Sequence, residues 1–281
     1  MIFRNNHFQV PSTPDVLVYD AFIPENPKGV ILFIHGFKGF KDWGAWNACS
    51  EAWMKEGWAV LKFNFSHNGT GLEETQTFVH PEKFRKNTYS RERIETLAFL
   101  DFIRSGEVFP VLRKLPLFVI GHSRGAGAAI NAASHPSVKG IVTWAGISKY
   151  NRWGEEQRQR WEIMGSMEII NQRTGESLPL DIDILQDYQR NKNILRIKTN
   201  VQRMLKPMLI IHGTADEAVS WEEALRLKKW NAHADLHLVE GANHVFGASH
   251  PWNSEEPPHA LKGVAEKTIR FFENVKLPKF P

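Results

Sequence analysis

Short apolar or β-branched runs alternate along the chain with longer amphipathic stretches, the pattern of strand, helix, strand units that build a parallel sheet. Residues 29–34, 58–63, 117–120, 141–144, 207–212 and 236–239 read as strands buried on both faces. Between and after them, 46–56, 91–105, 126–134, 221–230 and 261–275 read as helices. In the second of these, Ile94, Leu97, Leu100 and Ile103 form an apolar stripe amid Arg and Glu, and in the last Leu261, Val264, Thr268, Phe272 and Val275 share a face. The segment 1–27, with 16–22 as its best strand, is expected to add antiparallel edge strands.

One interval breaks the rhythm. Residues 147–204 lack a short apolar run and are rich in Arg, Glu, Asp and Gln, with Trp153, Trp161 and Ile163 scattered among them. They read as a helical insertion between two consecutive strands, with both ends emerging at one edge of the sheet. The chain thus divides into a first core part (1–146), an inserted cap (147–204) and a second core part (205–281). Trp153 and Trp161 either face a pocket beneath the cap or anchor it to the core.

Composition narrows the class. With 42% hydrophobic and 23% charged residues, disorder and fibrous architectures are excluded. The net charge of +4 comes without a dense basic run, so nucleic acid is not an expected partner. Apolar stretches such as 30–34 and 208–211 fall far short of the ~20 residues a membrane span needs. Residues 1–11 alternate polar and apolar without the apolar core of a secretory signal, which sets the expectation of a cytoplasmic protein. Cys49, the only cysteine, forbids an internal disulfide and a thiolate metal cluster, and reads as a small buried residue of a helix.

The chemistry lies in the loops that follow the strands. After 117–120 comes Gly121-His122-Ser123-Arg124-Gly125, then Ala126-Gly127-Ala128-Ala129 opening a helix. This Gly-x-Ser-x-Gly turn between strand and helix is a nucleophile elbow, in which flanking glycines admit a strained serine whose hydroxyl projects above the sheet. His35-Gly36-Phe37-Lys38-Gly39 follows the strand 29–34, where the N–H of Phe37, with that of Arg124, can face a developing oxyanion. His35 itself reads as a hydrogen-bonding residue of that loop. Asp216 follows the strand 207–212, with Glu217 as the alternative acid, in place to orient an imidazole. His244 lies in the loop beyond 236–239, with His250 as the alternative base, whereas His233 and His237 sit before or within that strand. Ser66 and His67, after the strand 58–63, either line the pocket or merely form a turn.

Gly-x-Ser-x-Gly alone recurs by chance in roughly one chain in ten to fifteen of this length. The order of the parts is more specific: oxyanion turn, Ser123, Asp216, His244, each just after a strand. Over about 28–275 the sequence resembles the α/β-hydrolase superfamily, closest to its dienelactone-hydrolase-like and carboxylesterase-like branch. That resemblance implies an α/β fold with an eight-stranded, mostly parallel sheet, helices on both faces, a Ser-His-Asp triad and a two-N–H oxyanion hole. It also implies no cofactor or metal, and often a lid inserted after the sixth strand, the place that 147–204 occupies. Dienelactone hydrolases proper carry cysteine where Ser123 stands, and haloalkane dehalogenases carry aspartate, so neither specificity transfers. The expectation is a serine hydrolase of small carboxylic esters; peptide or amide hydrolysis, acyl transfer and a non-catalytic ligand-binding role share the same residues.

Overall fold

The computed structural model describes residues 1–171 and 174–276. In chain order the elements are β1 (Ile2–Gln9), β2 (Val16–Phe22), β3 (Gly29–Ile34), α1 (Trp46–Lys55), β4 (Trp58–Asn64), α2 (Pro81–Phe84), α3 (Tyr89–Ser105), β5 (Leu117–His122), α4 (Arg124–Ala132) and β6 (Val138–Trp144). There follow α5 (Glu155–Met164), β7 (Ser166–Ile170), β8 (Ser177–Asp181), α6 (Asp183–Arg190), α7 (Lys192–Leu195), α8 (Ile197–Gln202), β9 (Met208–Gly213), α9 (Glu222–Trp230), β10 (Asp235–Val239) and α10 (His259–Asn274).

Eight strands form one sheet in the order β1-β2-β4-β3-β5-β6-β9-β10. β2 runs antiparallel to both β1 and β4, and the other neighbours are parallel. Alternation within a strand feeds two cores: Val30, Leu32 and Ile34 pack on one side with α3, α4, α8 and α9, and Ile31 and Phe33 on the other with α1 and α10. Burial of both faces explains why these strands read as nearly continuous apolar runs. The chain order reverses at β3, which lies between β4 and β5. A crevice at the carboxyl ends of the strands beside such a switch point is where open α/β sheets hold ligands.

Three expectations need correction. Ile94 is 52% exposed, because α3 turns Glu92, Glu95, Thr96, Phe99, Leu100 and Ile103 inward instead. The inserted segment is not wholly helical: β7 and β8 pair as a separate antiparallel ribbon. Nor do both its ends lie at one sheet edge. β6 and β9 are parallel, with Ile141 opposite Met208 and Trp144 opposite Ile211. The chain therefore leaves at the carboxyl edge after Trp144 and re-enters β9 at the opposite edge. Its descending leg, α8, packs its buried Ile197 and Val201 into the core that α4 and α9 share. Among the described residues no helix is long and apolar enough to cross a membrane.

Candidate active site

Ser123 stands between β5 and α4 with φ 56° and ψ −119°, a region that side-chain-bearing residues rarely occupy. Its surroundings permit no bulk. A Cβ on Gly121 would lie 2.3 Å from the Gly125 carbonyl oxygen, and one on Gly125 would lie 2.4 Å from that of Ile34. The Ser123 N–H donates to the Trp144 carbonyl at 2.9 Å, tying the elbow to β6. Gly36 approaches from β3 so closely that a Cβ there would meet the Ser123 Cβ at 2.8 Å. The turn after β3 and the Ser123 turn are thus in van der Waals contact.

The loops carrying Asp216 and His244 are clamped together. Thr214 and Ala215 donate their N–H groups to the carbonyls of Val239 and Ala242, each at 3.0 Å. The Thr214 hydroxyl accepts from the Gly241 N–H at 2.8 Å. Asp216, buried at the end of β9, accepts at Oδ2 from His244 Nδ1 at 2.7 Å. Its Oδ1 accepts the N–H groups of Ala218 (2.9 Å) and Val219 (2.8 Å), so Asp216 closes a local turn and does not cap α9. Burial alone would raise its carboxyl pKa, but hydrogen bonds from His212 and His244 hold it well below the usual carboxylate range. Glu217 is exposed, and it is Asp216 that His244 bonds.

Two histidines that bear no proposed proton-transfer role brace the site. His122 donates from Nε2 to the His244 carbonyl at 3.0 Å, and burial pushes its pKa down to about 3. This neutral ring locks the elbow to the histidine loop. His212, fully buried in β9, places Nε2 3.1 Å from Asp216 Oδ2 and 2.8 Å from the Val219 carbonyl. The Asp216 carboxylate is therefore fixed between two imidazoles. The signal for His212 in the sequence is a histidine near the end of an otherwise apolar strand, just before Gly213.

A cavity of about 790 Å³ opens at this edge, with Phe37, Ser123, Arg124 and His244 in its wall. His35 lies there too and donates from Nδ1 to the Gly36 carbonyl at 2.8 Å, the loop-bracing role expected of it. His250 also lines the cavity, but its Nδ1 accepts the Gly44 N–H at 3.0 Å, and Asp216 pairs with His244. Of the two tryptophans left open, Trp153 lines the cavity, while Trp161 is buried and donates to the Leu180 carbonyl at 3.0 Å, anchoring α5 to β8. Ser66 and His67 do not line it. They form a hydrogen-bonded turn in which Ser66 Oγ meets His67 Nδ1 at 2.8 Å and the buried Glu95 carboxyl on its other side. Asp15, His67 and Glu95 offer metal-type ligand atoms within 4.8 Å of one another, but Arg91 binds Asp15 and Ser66 binds Glu95.

Next to the turn after β3 lies a second feature that no sequence motif marks. Lys41 Nζ is 2.8 Å from Asp20, Lys62 Nζ is 3.2 Å from Asp20 and 2.5 Å from Asp42, and Lys41 also pairs with Asp42. Arg4 closes the cluster from β1, 3.0 Å from Asp20. Burial opposes ionisation of Asp42, but Lys62 and Lys41 hold it charged.

No protein-family model and no curated protein matches the chain. Solved structures do resemble it over nearly their whole length. Est1E from Butyrivibrio proteoclasticus, solved with ferulic acid bound, has a TM-score of 0.72 at 20% identity, covering 96% of this chain and 98% of its own. A dienelactone hydrolase from Anabaena variabilis scores 0.65 at 17% identity, covering 99% of each chain. A monoacylglycerol lipase from Paleococcus ferrophilus scores 0.64 at 16% identity, covering 91% of this chain and 99% of its own. With this strand order, the strained Ser123 turn after β5 and these neighbours, the chain has the α/β-hydrolase fold.

Proposed function

We propose that the protein is a serine hydrolase that cleaves small carboxylic esters through an acyl-enzyme. The observation that carries the reading is the 2.7 Å Asp216–His244 hydrogen bond, placed so that His244 shares a cavity wall with the strained Ser123. The neighbours support it in kind, since an esterase, a dienelactone hydrolase and a lipase share the fold.

In this mechanism Ser123 Oγ adds to the ester carbonyl carbon while His244 Nε2 takes its proton. Asp216 holds the ring with Nδ1 protonated and stabilises the imidazolium. The N–H groups of Phe37 and Arg124 receive the oxyanion. Collapse expels the alcohol, which takes the proton back from His244. A water, deprotonated by His244, then attacks the acyl-enzyme and releases the acid, restoring Ser123. The inserted segment acts as a cap that supplies the wall at Tyr150, Arg152 and Trp153.

The test is labelling with a fluorophosphonate, followed by kinetics on p-nitrophenyl esters of increasing acyl length. Ser123 is expected to be the labelled residue, and Ser123→Ala to lose on the order of 10⁴- to 10⁶-fold in kcat while remaining folded. A folded Ser123→Ala variant keeping more than about a tenth of wild-type kcat overturns the assignment, a loss far smaller than triad removals cause.

A further inference from the structure

The cavity wall has a one-sided charge. Lys38, Arg124 and Arg152 line it, and among the described residues no Asp or Glu does. Two buried carboxylates are taken up by lining residues without lining the cavity themselves: Asp216 pairs with His244, and Glu92 with Arg124. Lys38 bonds the Ile170 carbonyl at 3.1 Å and Arg152 the Ala218 carbonyl at 2.9 Å, and neither has a carboxylate partner among the described residues.

Arg124 is the best built of the three. Its guanidinium stacks over the Phe37 ring at 4.2 Å and lies 5.6 Å from the Tyr89 centroid. One Nη is held by the buried Glu92 carboxylate, which Asn87 also grips at 2.9 Å. The remaining N–H groups have no protein acceptor among the described residues. A guanidinium so fixed presents a planar pair of donors in a known place, the geometry suited to a carboxylate. The same cavity has flat apolar walls from Phe37, Trp43, Trp46, Tyr89, Tyr150 and Trp153.

We propose that this cavity selects anionic esters, namely half-esters of dicarboxylic acids with a flat apolar body, whose free carboxylate is received by Arg124 with Lys38 and Arg152 as outer cations. The proposal rests on the esterase reading above for its chemistry. The cleaved bond is the ester C–O, water supplies the hydroxyl and the proton, and the second carboxylate is unchanged.

A matched pair of substrates tests it: monoethyl terephthalate, an anion at pH 7.5, and neutral diethyl terephthalate. Wild-type kcat/KM is expected to be at least about tenfold higher for the half-ester, consistent with a charge-assisted bidentate contact. The variant Arg124→Gln combined with Glu92→Gln, which leaves no buried charge unpaired, should bring the ratio close to one, and Lys38→Gln should lower it in part. A wild-type ratio at or below one, or a ratio unmoved by these substitutions, overturns the anion site while leaving the esterase reading in place. Failure of both esters and of fluorophosphonate labelling overturns the esterase reading. In that event quenching of tryptophan fluorescence by terephthalate still decides the anion site: at least about tenfold weaker binding in the double variant supports it, and equal binding removes it.

Discussion

Glu95 illustrates how one buried carboxyl can set a pH limit. It is 1% exposed, and burial raises its pKa to about 8, against hydrogen bonds from the Ser66 N–H and hydroxyl that favour the anion. Its neighbour His67 is driven by burial down to about 4, and so is neutral across the same range. A protonated Glu95 can donate to Ser66 Oγ, and Ser66 to the unprotonated His67 Nδ1, which makes an uncharged chain of hydrogen bonds. In the unfolded chain the same carboxyl titrates near 4.5. The folded protein therefore holds the proton more tightly, and the stability this confers is complete below pH 4.5 and lost as pH rises through about 8. Glu95→Gln, which keeps the shape and cannot ionise, should flatten the fall in Tm between pH 5 and 8.5. Thermal melts of both proteins across that range check it; parallel curves would remove Glu95 as the cause.

At the scale of elements, the insertion divides its labour between two tryptophans whose rings meet edge to face at 5.3 Å. Trp161 fills the joint between α5 and β8, so Trp161→Ala should cost about 3–5 kcal/mol of local stability and make residues 147–195 sensitive to protease. Trp153 presents its surface to the cavity, and Trp153→Ala should leave Tm nearly unchanged while raising KM for aromatic esters roughly tenfold, the loss of about 1.4 kcal/mol of apolar contact. Limited proteolysis and steady-state kinetics on the two variants separate the roles. Much of this was legible in the sequence: each parallel strand announces itself as an apolar run, and Asp216 and His244, picked from separate loops that follow strands, are in contact. What escaped were features made by distance in sequence. Nothing local marks Glu92 or Glu95 as buried, because their partners Arg124 and Ser66 come from other elements. The β7–β8 ribbon was hidden for local reasons: β7 exposes Ile170 as well as Glu168, so its apolar residues do not mark one face, and β8, although Leu178 and Leu180 alternate inward, is five residues long and carries Pro179 between them.

Across the whole molecule, the ion cluster of Asp20, Lys41, Asp42 and Lys62 joins β2 and β4 to the segment just after the glycine turn that ends β3. Four charges at 0–6% side-chain exposure are stable only as a complete set. Lys62→Met leaves Asp20 and Asp42 short of a partner, and should lower stability by about 3–5 kcal/mol, a fall in Tm of roughly 10 °C. Surface ion pairs such as Lys28–Glu273, 2.7 Å apart, serve as the control, since Lys28→Met should change Tm by less than about 3 °C. Differential scanning calorimetry on the two variants decides between a structural cluster and an ornamental one. The chain's return to the far edge of the sheet has its own consequence, for heredity. The insertion residues that wall the cavity, Ile147, Tyr150, Arg152, Trp153 and Asn171, all precede α8, whose buried Ile197 and Val201 seat the leg that leads into β9. Mutations that reshape the chamber can therefore accumulate over generations without disturbing that leg.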